Sequence, residues 1–162
     1  MSHNNSRKDM KKSWIIFIII IIGSAGYDFG EFEWVFESLA YFIDLPSFVI
    51  VFIPTMFFAI GSYSWDVYKK TWAVTFNTVA GYSKKELKEI HDCALFKGNM
   101  ALIMGFIGTI MGLILIGQNL DDISMLGPEI AVAAITLFYG LIIKALNMAT
   151  AHKIAEAARH PG

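Results

Sequence analysis

Two threonines, Thr109 and Thr136, sit in apolar stretches among glycines and alanines. In Gly105-Phe106-Ile107-Gly108-Thr109-Ile110-Met111-Gly112 a period of 3.6 residues places Gly105, Gly108, Thr109 and Gly112 along one helix face. Further on, Ala133, Thr136 and Gly140 fall at i, i+3 and i+7. Faces this bare let two helices approach closely in a bilayer, so their ordinary use is a packing seam, and threonines there commonly bond to their own helix's carbonyls. With a hydroxyl at mid-depth on each face, the seam also offers a few oxygens that could line the path of a small cation. A proton or sodium relay through a bilayer normally needs an ionisable residue at depth as well, and none lies near the middle of either stretch. Glu129 lies at the mouth of the second stretch, just after Pro128, where an acid suits a helix N-terminus. Lys144 lies near the opposite interface, where a lysine snorkels to headgroups. If ions pass along this seam, the carboxylate comes from another chain.

Little else in the chain suggests chemistry. His91-Asp92-Cys93 holds nucleophile-type residues, but neighbours in a helix point about 100° apart, so the run forms no relay. Cys93 is the single cysteine, without a partner for an intrachain disulfide or a metal site. No phosphate loop, zinc-ligand spacing or nucleophile elbow occurs, so neither an enzyme nor a bound cofactor or metal is expected.

The elements that must carry the two threonines follow from composition. The 162 residues are 56% hydrophobic and 17% charged, and the mean hydropathy of +0.54 is too apolar for an ordinary soluble domain of this size. A helix needs about 20 residues to cross the hydrocarbon layer. Four candidate spans present themselves, over about 14–30, 46–63, 99–120 and 127–148. The first is short, follows Arg7, Lys8, Lys11 and Lys12, and runs into Gly23-Ser24-Ala25-Gly26, a pattern shared with cleavable signal peptides; a retained helix is expected.

Charge is segregated along the chain. Tyr27 to Asp44 carries five acids without a Lys or Arg, whereas Lys69, Lys70, Lys84, Lys85, Lys88 and Lys97 follow the second span. Positive-inside bias therefore puts both termini in the cytosol of a multi-pass inner-membrane protein, with Asp121, Asp122 and Glu129 at the outer mouth. Nothing points to nucleic acid as a partner. Between the second and third spans, residues 64–98 read as a helical hairpin. Trp65, Tyr68, Trp72 and Phe76 recur at helical spacing, Gly81 marks the turn, and Ser83-Lys84-Lys85-Glu86 is a capping box opening a stripe of Leu87, Ile90 and Ala94. The fold class expected is an all-α integral membrane protein of four spans in a single domain.

Gly105-Phe106-Ile107-Gly108-Thr109-Ile110-Met111-Gly112-Leu113, then Asn119-Leu120-Asp121-Asp122, then Gly127-Pro128-Glu129-Ile130-Ala131-Val132-Ala133-Ala134-Ile135-Thr136-Leu137-Phe138-Tyr139-Gly140 resembles the signature of the MotA/TolQ/ExbB family, and Asp44-Leu45-Pro46-Ser47-Phe48 is similar to the start of that family's second helix. The resemblance implies a homo-oligomeric ring, a pentamer, around a single-helix MotB/TolR/ExbD-like partner whose membrane aspartate carries the ion. Thr109, Thr136 and Tyr139 would then line an ion path, and Gly105, Gly108, Gly112, Ala133 and Gly140 would form the packing seam. The implied function is that of a stator-type ion-channel subunit, which uses a proton or sodium gradient for mechanical work in the cell envelope.

Departures from the pattern narrow that expectation. Sodium-type relatives carry a threonine pair where this chain has Thr136-Leu137, while Thr109 leans toward a sodium pattern, which leaves proton or sodium open. Val132 stands where the TolQ/ExbB branch has a glutamate, which places the chain nearer MotA. Ile53-Pro54-Thr55 replaces a Gly-Gly-Thr, so a kink or local repacking is expected at Pro54. The large cytosolic domain of flagellar relatives is reduced to residues 64–98, which argues against flagellar rotation. A non-conducting scaffold of the same fold and an independent transporter or pore are the alternatives.

Overall fold

The computed structural model describes residues 15–17, 19–21, 23–24, 27–28, 33–34, 42–118 and 126–159. The chain divides into two units, Met1–Asp44 and Leu45–Gly162. In the first, the described residues between 15 and 24 are helical, and two short strands follow, β1 (Tyr27–Asp28) and β2 (Glu33–Trp34). They pair antiparallel, Tyr27 opposite Trp34 and Asp28 opposite Glu33. At two residues per strand this is a local ladder. Much of the first expected span falls outside the described residues.

The second unit is all-helical: α1 (Leu45–Tyr63), α2 (Trp65–Phe76), α3 (Lys84–Gln118) and α4 (Leu126–Arg159). Among the described residues, α1, α3 and α4 are the three helices long and apolar enough to cross a membrane. At 35 residues α3 is about 52 Å long, well beyond a hydrocarbon layer of about 30 Å. Its excess lies at the Lys84 end, because every charge in α3 precedes Gly98 and the rest of the helix, 98–118, carries none.

Local chemistry sets the ends of these helices. α1 continues through Pro54, whose missing N–H leaves the Ile50 carbonyl without its intrahelical donor; one residue on, the buried Thr55 hydroxyl donates to Val51 O at 2.7 Å. Between α1 and α2 stands Ser64, with φ 92° and ψ 157°, a conformation nearly confined to glycine. Ser64 N–H still donates to Ile60 O and its carbonyl accepts from Tyr68 N–H, so the chain changes direction without losing backbone bonds. Gly81, at φ 92°, supplies the turn expected before α3. The capping box forms as read: Glu86 N–H donates to Ser83 Oγ at 3.3 Å, and Ser83 N–H and Oγ donate to Glu86 Oε2 at 2.9 and 2.8 Å.

Packing is led by α3 against α4. Successive contacts pair Gly98 with Asn147, Ala101 with Gly140, Gly105 with Thr136 and Gly112 with Ala133, so residue numbers rise on one helix as they fall on the other and the two run antiparallel. α1 lies across both, burying Ser47, Val51, Thr55 and Ala59 at four-residue intervals. At the Lys84 end, α2 packs on α3 and α4 around Val74, Ile90 and Ile154. There the Thr75 and Thr150 hydroxyls share a hydrogen bond of 2.9 Å. Lys153 donates to Val74 O and Asn77 O, a cation on the carbonyls that end α2.

Candidate functional site

The seam expected from glycine and alanine spacing is present, and its closeness is measurable. A Cβ built on Gly140 would lie 2.7 Å from Ala101 O, and one on Gly105 would lie 3.2 Å from Thr136 O and 3.3 Å from the Gly140 Cα. At Gly108 it would collide with Thr136 Cγ2, and at Gly112 it would lie 3.0 Å from Ala133 Cβ. Backbone therefore meets backbone where Ala101 and Gly105 face Gly140, and toward Gly112 the glycines make room for the Thr136 and Ala133 side chains, an approach that larger residues would prevent.

The two threonines flank this contact. Thr109 Oγ1 lies 2.9 Å from both Gly105 O and Ala133 O, so its hydroxyl bonds to its own helix and across to α4. Thr136 Oγ1 donates to Ser47 Oγ at 2.8 Å and lies 3.1 Å from Val132 O, and Ser47 Oγ donates to the same carbonyl at 3.4 Å. Thr136 is 3% exposed and Ser47 1%, whereas Thr109 is only half-buried. Three hydroxyls from three helices and the carbonyls of Gly105, Val132 and Ala133 thus form a knot of oxygens where α1, α3 and α4 converge. The Tyr139 ring packs edge-on against Phe48 of α1, their centroids 6.0 Å apart, and Phe48 stacks on Phe52.

The knot also fixes the level at which α1 begins. Ser47 is in the first turn of α1, yet it meets Thr136, ten residues into α4 from Leu126. The α3–α4 pair therefore runs about 12 Å beyond the start of α1. Along that stretch Ile110, Met111, Leu113, Ile114, Leu115 and Ile130 are each at least half exposed. Glu129 lies there in the first turn of α4, half-buried, with Oε2 enclosed and making no hydrogen bond among the described residues. Asp121 and Asp122, expected at the same mouth, lie outside the described residues.

At the other end Lys144 donates to Asn99 Oδ1, and Gly98 packs on Asn147 and the Lys144 stem. Just before the uncharged run of α3, Lys97 is 2% exposed and its Nζ makes no hydrogen bond among the described residues. That nitrogen sits 4.1 Å from the Trp72 ring centroid and 4.9 Å from that of Tyr68, both in α2. Burial pushes the Lys97 ammonium down to about 8, with Cys93 pulling weakly the other way. Glu86 is also lowered, but by stabilisation of its charged form: it is held at about 2 by the Ser83 N–H and hydroxyl and by the Lys70 ammonium 3.0 Å away.

The structure brings Gly105, Gly108 and Gly112 of α3 against Ala133, Thr136 and Gly140 of α4, with Thr109 bonded across to Ala133 O. Sequence reasoning missed Ser47, for which a hydroxyl in the first turn of a span was the only signal, and it missed the burial of Lys97, which composition counts with the solvated lysines. His91 Nδ1 and Asp92 Oδ1 come within 3.0 Å although helical neighbours were expected to point apart. Cys93 turns away into the core, and burial pushes its thiol up, which leaves it unsuited to nucleophilic work. No group of three or more His, Cys, Asp and Glu residues able to hold a metal exists among the described residues.

Residues 76–160, more than half of the chain, match the family described as the MotA/TolQ/ExbB proton channel family. Among curated proteins, the chain is similar to chemotaxis protein PomA of Vibrio alginolyticus, 46% identical over 46 residues that make up 28% of this chain and 18% of that one. It is also similar to motility protein A of Aquifex aeolicus (strain VF5), 48% identical over 54 residues, 33% of this chain and 21% of the relative. A third, the uncharacterized protein YtxD of Bacillus subtilis (strain 168), is 46% identical over 46 residues, 28% of this chain and 17% of its own length. The matches thus span about a fifth of these relatives. No solved structure gives a significant match.

Proposed function

Since the chain belongs to the MotA/TolQ/ExbB proton channel family, we propose that it is a stator-type ion-channel subunit, conducting protons or sodium at its interface with a single-helix partner and turning that flux into mechanical work in the cell envelope. The observation that carries this reading is the set of hydroxyl and carbonyl oxygens around Thr109, Thr136 and Ser47, at a depth where α1, α3 and α4 carry no Asp, Glu, Lys, Arg or His. Such a site can line an ion's path but cannot take up its charge, so the carrier carboxylate belongs to the partner. The exposed apolar residues of α3 and α4 beyond the start of α1 suit a neighbouring helix, and the chain works as a homo-oligomer, a pentamer, with both termini in the cytosol of a bacterial cell.

Exchange of Thr109 and Thr136 for valine tests the reading. Valine keeps the shape and removes both hydroxyls, so ion flux and the work driven by it should fall together; unchanged flux in the double variant rejects the two threonines as the ion path, and no flux in the unaltered protein rejects the channel. A second reading, a scaffold of the same fold that conducts nothing, draws on one observation. Thr136 is 3% exposed, and both threonine hydroxyls are engaged within the chain. It predicts normal assembly and no flux in the unaltered protein.

A further inference from the structure

Ser47 meets Thr136 across 89 positions of sequence, and the chemistry of that meeting is asymmetric. One carbonyl, Val132 O, lies within reach of two hydroxyls, Thr136 at 3.1 Å and Ser47 at 3.4 Å, while the hydroxyls themselves are 2.8 Å apart. Each hydroxyl has one proton to donate and two lone pairs. If Thr136 donates to Val132 O, Ser47 can donate to Thr136, and one lone pair of the Thr136 oxygen is occupied. If Ser47 donates to Val132 O, Thr136 donates to Ser47 and both lone pairs of its oxygen are open. The availability of the Thr136 oxygen to a cation or hydrated proton is therefore set from α1.

We infer that Ser47 is a positioning residue for ion selection, holding the Thr136 hydroxyl in the orientation that presents its oxygen along the α3–α4 seam. This rests on the channel reading above. Ser47 is suited to the task because its surroundings leave it little freedom. It is 1% exposed, it stands in the first turn of α1, and the neighbouring Ile50 methyl lies 3.0 Å from where a Gly108 Cβ would be. A shift of α1 along its axis would separate Ser47 from Thr136 before it loosened the glycine contact between α3 and α4. The orientation of the lining oxygen thereby answers to the position of α1.

The test uses chromosomal Ser47→Ala and Ser47→Cys variants in the native host, so that any partner chain is present, with inverted membrane vesicles as the assay. Uptake of radioactive sodium and proton movement reported by an entrapped pH dye are measured against sodium concentration and pH. Losing one hydrogen bond to the lining hydroxyl should move the half-saturating concentration of the conducted ion about 3- to 10-fold with maximal flux retained, the weakly bonding thiol of the cysteine variant falling between. An unchanged half-saturation in Ser47→Ala, with flux abolished by Thr136→Val, overturns the role of Ser47 and leaves the channel reading standing. Less protein in the membrane with unchanged half-saturation makes Ser47 a packing residue and overturns it as well. Full flux in the Thr109→Val, Thr136→Val double variant takes the threonines out of the ion path and overturns Ser47's role with them, whereas no flux in the unaltered protein removes the channel reading itself.

Discussion

Replacing Lys97 by methionine removes a buried ammonium while keeping a long apolar side chain, and it should stabilise the protein at neutral pH while flattening its response to alkali. Lys97 is 2% exposed, with no hydrogen bond to its Nζ among the described residues. The gap between an ordinary lysine at 10.5 and about 8 here, at 1.36 kcal/mol per pH unit, is about 3 kcal/mol of desolvation cost. The Trp72 and Tyr68 ring faces, 4.1 and 4.9 Å away, return about 1–2 kcal/mol. The Lys97→Met variant should therefore gain about 1–2 kcal/mol at pH 7. Because the folded value is depressed, the folded and unfolded chains are both protonated below pH 8 and the cost is felt in full. Between about 8 and 10.5 the unfolded chain holds the extra proton, so the native protein gains stability as pH rises. Denaturation in detergent micelles, followed by far-UV circular dichroism at pH 7, 8.5 and 10.5, should show the unaltered protein closing that gap of about 1–2 kcal/mol as the pH rises, and the difference between the two cancels every other titrating group. Parallel pH profiles, or a variant clearly less stable at pH 7, would refute the reasoning.

Other expectations test the fold directly. Gly140→Ala forces a methyl to within 2.7 Å of a backbone oxygen, and should cost about 1–3 kcal/mol in detergent unfolding. Gly61→Ala, with nothing within 4 Å, should gain up to about 1 kcal/mol in the same measurement. Ser64→Gly relieves a conformation costing about 1–3 kcal/mol and loses only a few tenths as a helix cap, so the melting midpoint should rise. Glu86 is held well below an ordinary carboxyl, so its contribution is complete above about pH 4.5 and is lost as pH falls toward 2. Hydrogen exchange in the first turns of α3 should speed up over that window, and Glu86→Gln should remove the dependence.

What the sequence makes legible here is what repeats locally. Gly105, Gly108 and Gly112 announce a close approach because three and four residues make a helical turn, and Ala133, Thr136 and Gly140 announce its partner. Ser83 and Glu86 announce a helix start for the same reason, and Gly81 announces the turn before it. Ser47 is different in kind, because a hydroxyl in a first turn has no local sign that it will face Thr136. Lys97 is hidden by its own chemistry, since a lysine at the end of an apolar run ordinarily reaches for water. Only the placement of α2, which brings Trp72 and Tyr68 over it, closes that route. The break at Ser64 is equally silent, because serine carries no preference for the conformation it adopts there.

The unbroken length of α3 has a mechanical consequence. Lys84 and Thr109 belong to one helix about 37 Å apart along its axis, and the glycine contacts clamp α4 beside it with backbone on backbone. Helices joined this way bend little, so the pair behaves as a stiff lever, whereas the line from α1 into α2 is jointed at Ser64. With a fulcrum at the oxygen knot, a tilt of about 5° would carry the Lys84 end sideways by about 3 Å over that length. A displacement of that size equals the 3.0 Å ion pair between Lys70 and Glu86, which ties the jointed arm to the stiff one. A change on the scale of a single hydroxyl at depth would thus be read out, at the far end, as the making or breaking of a surface contact.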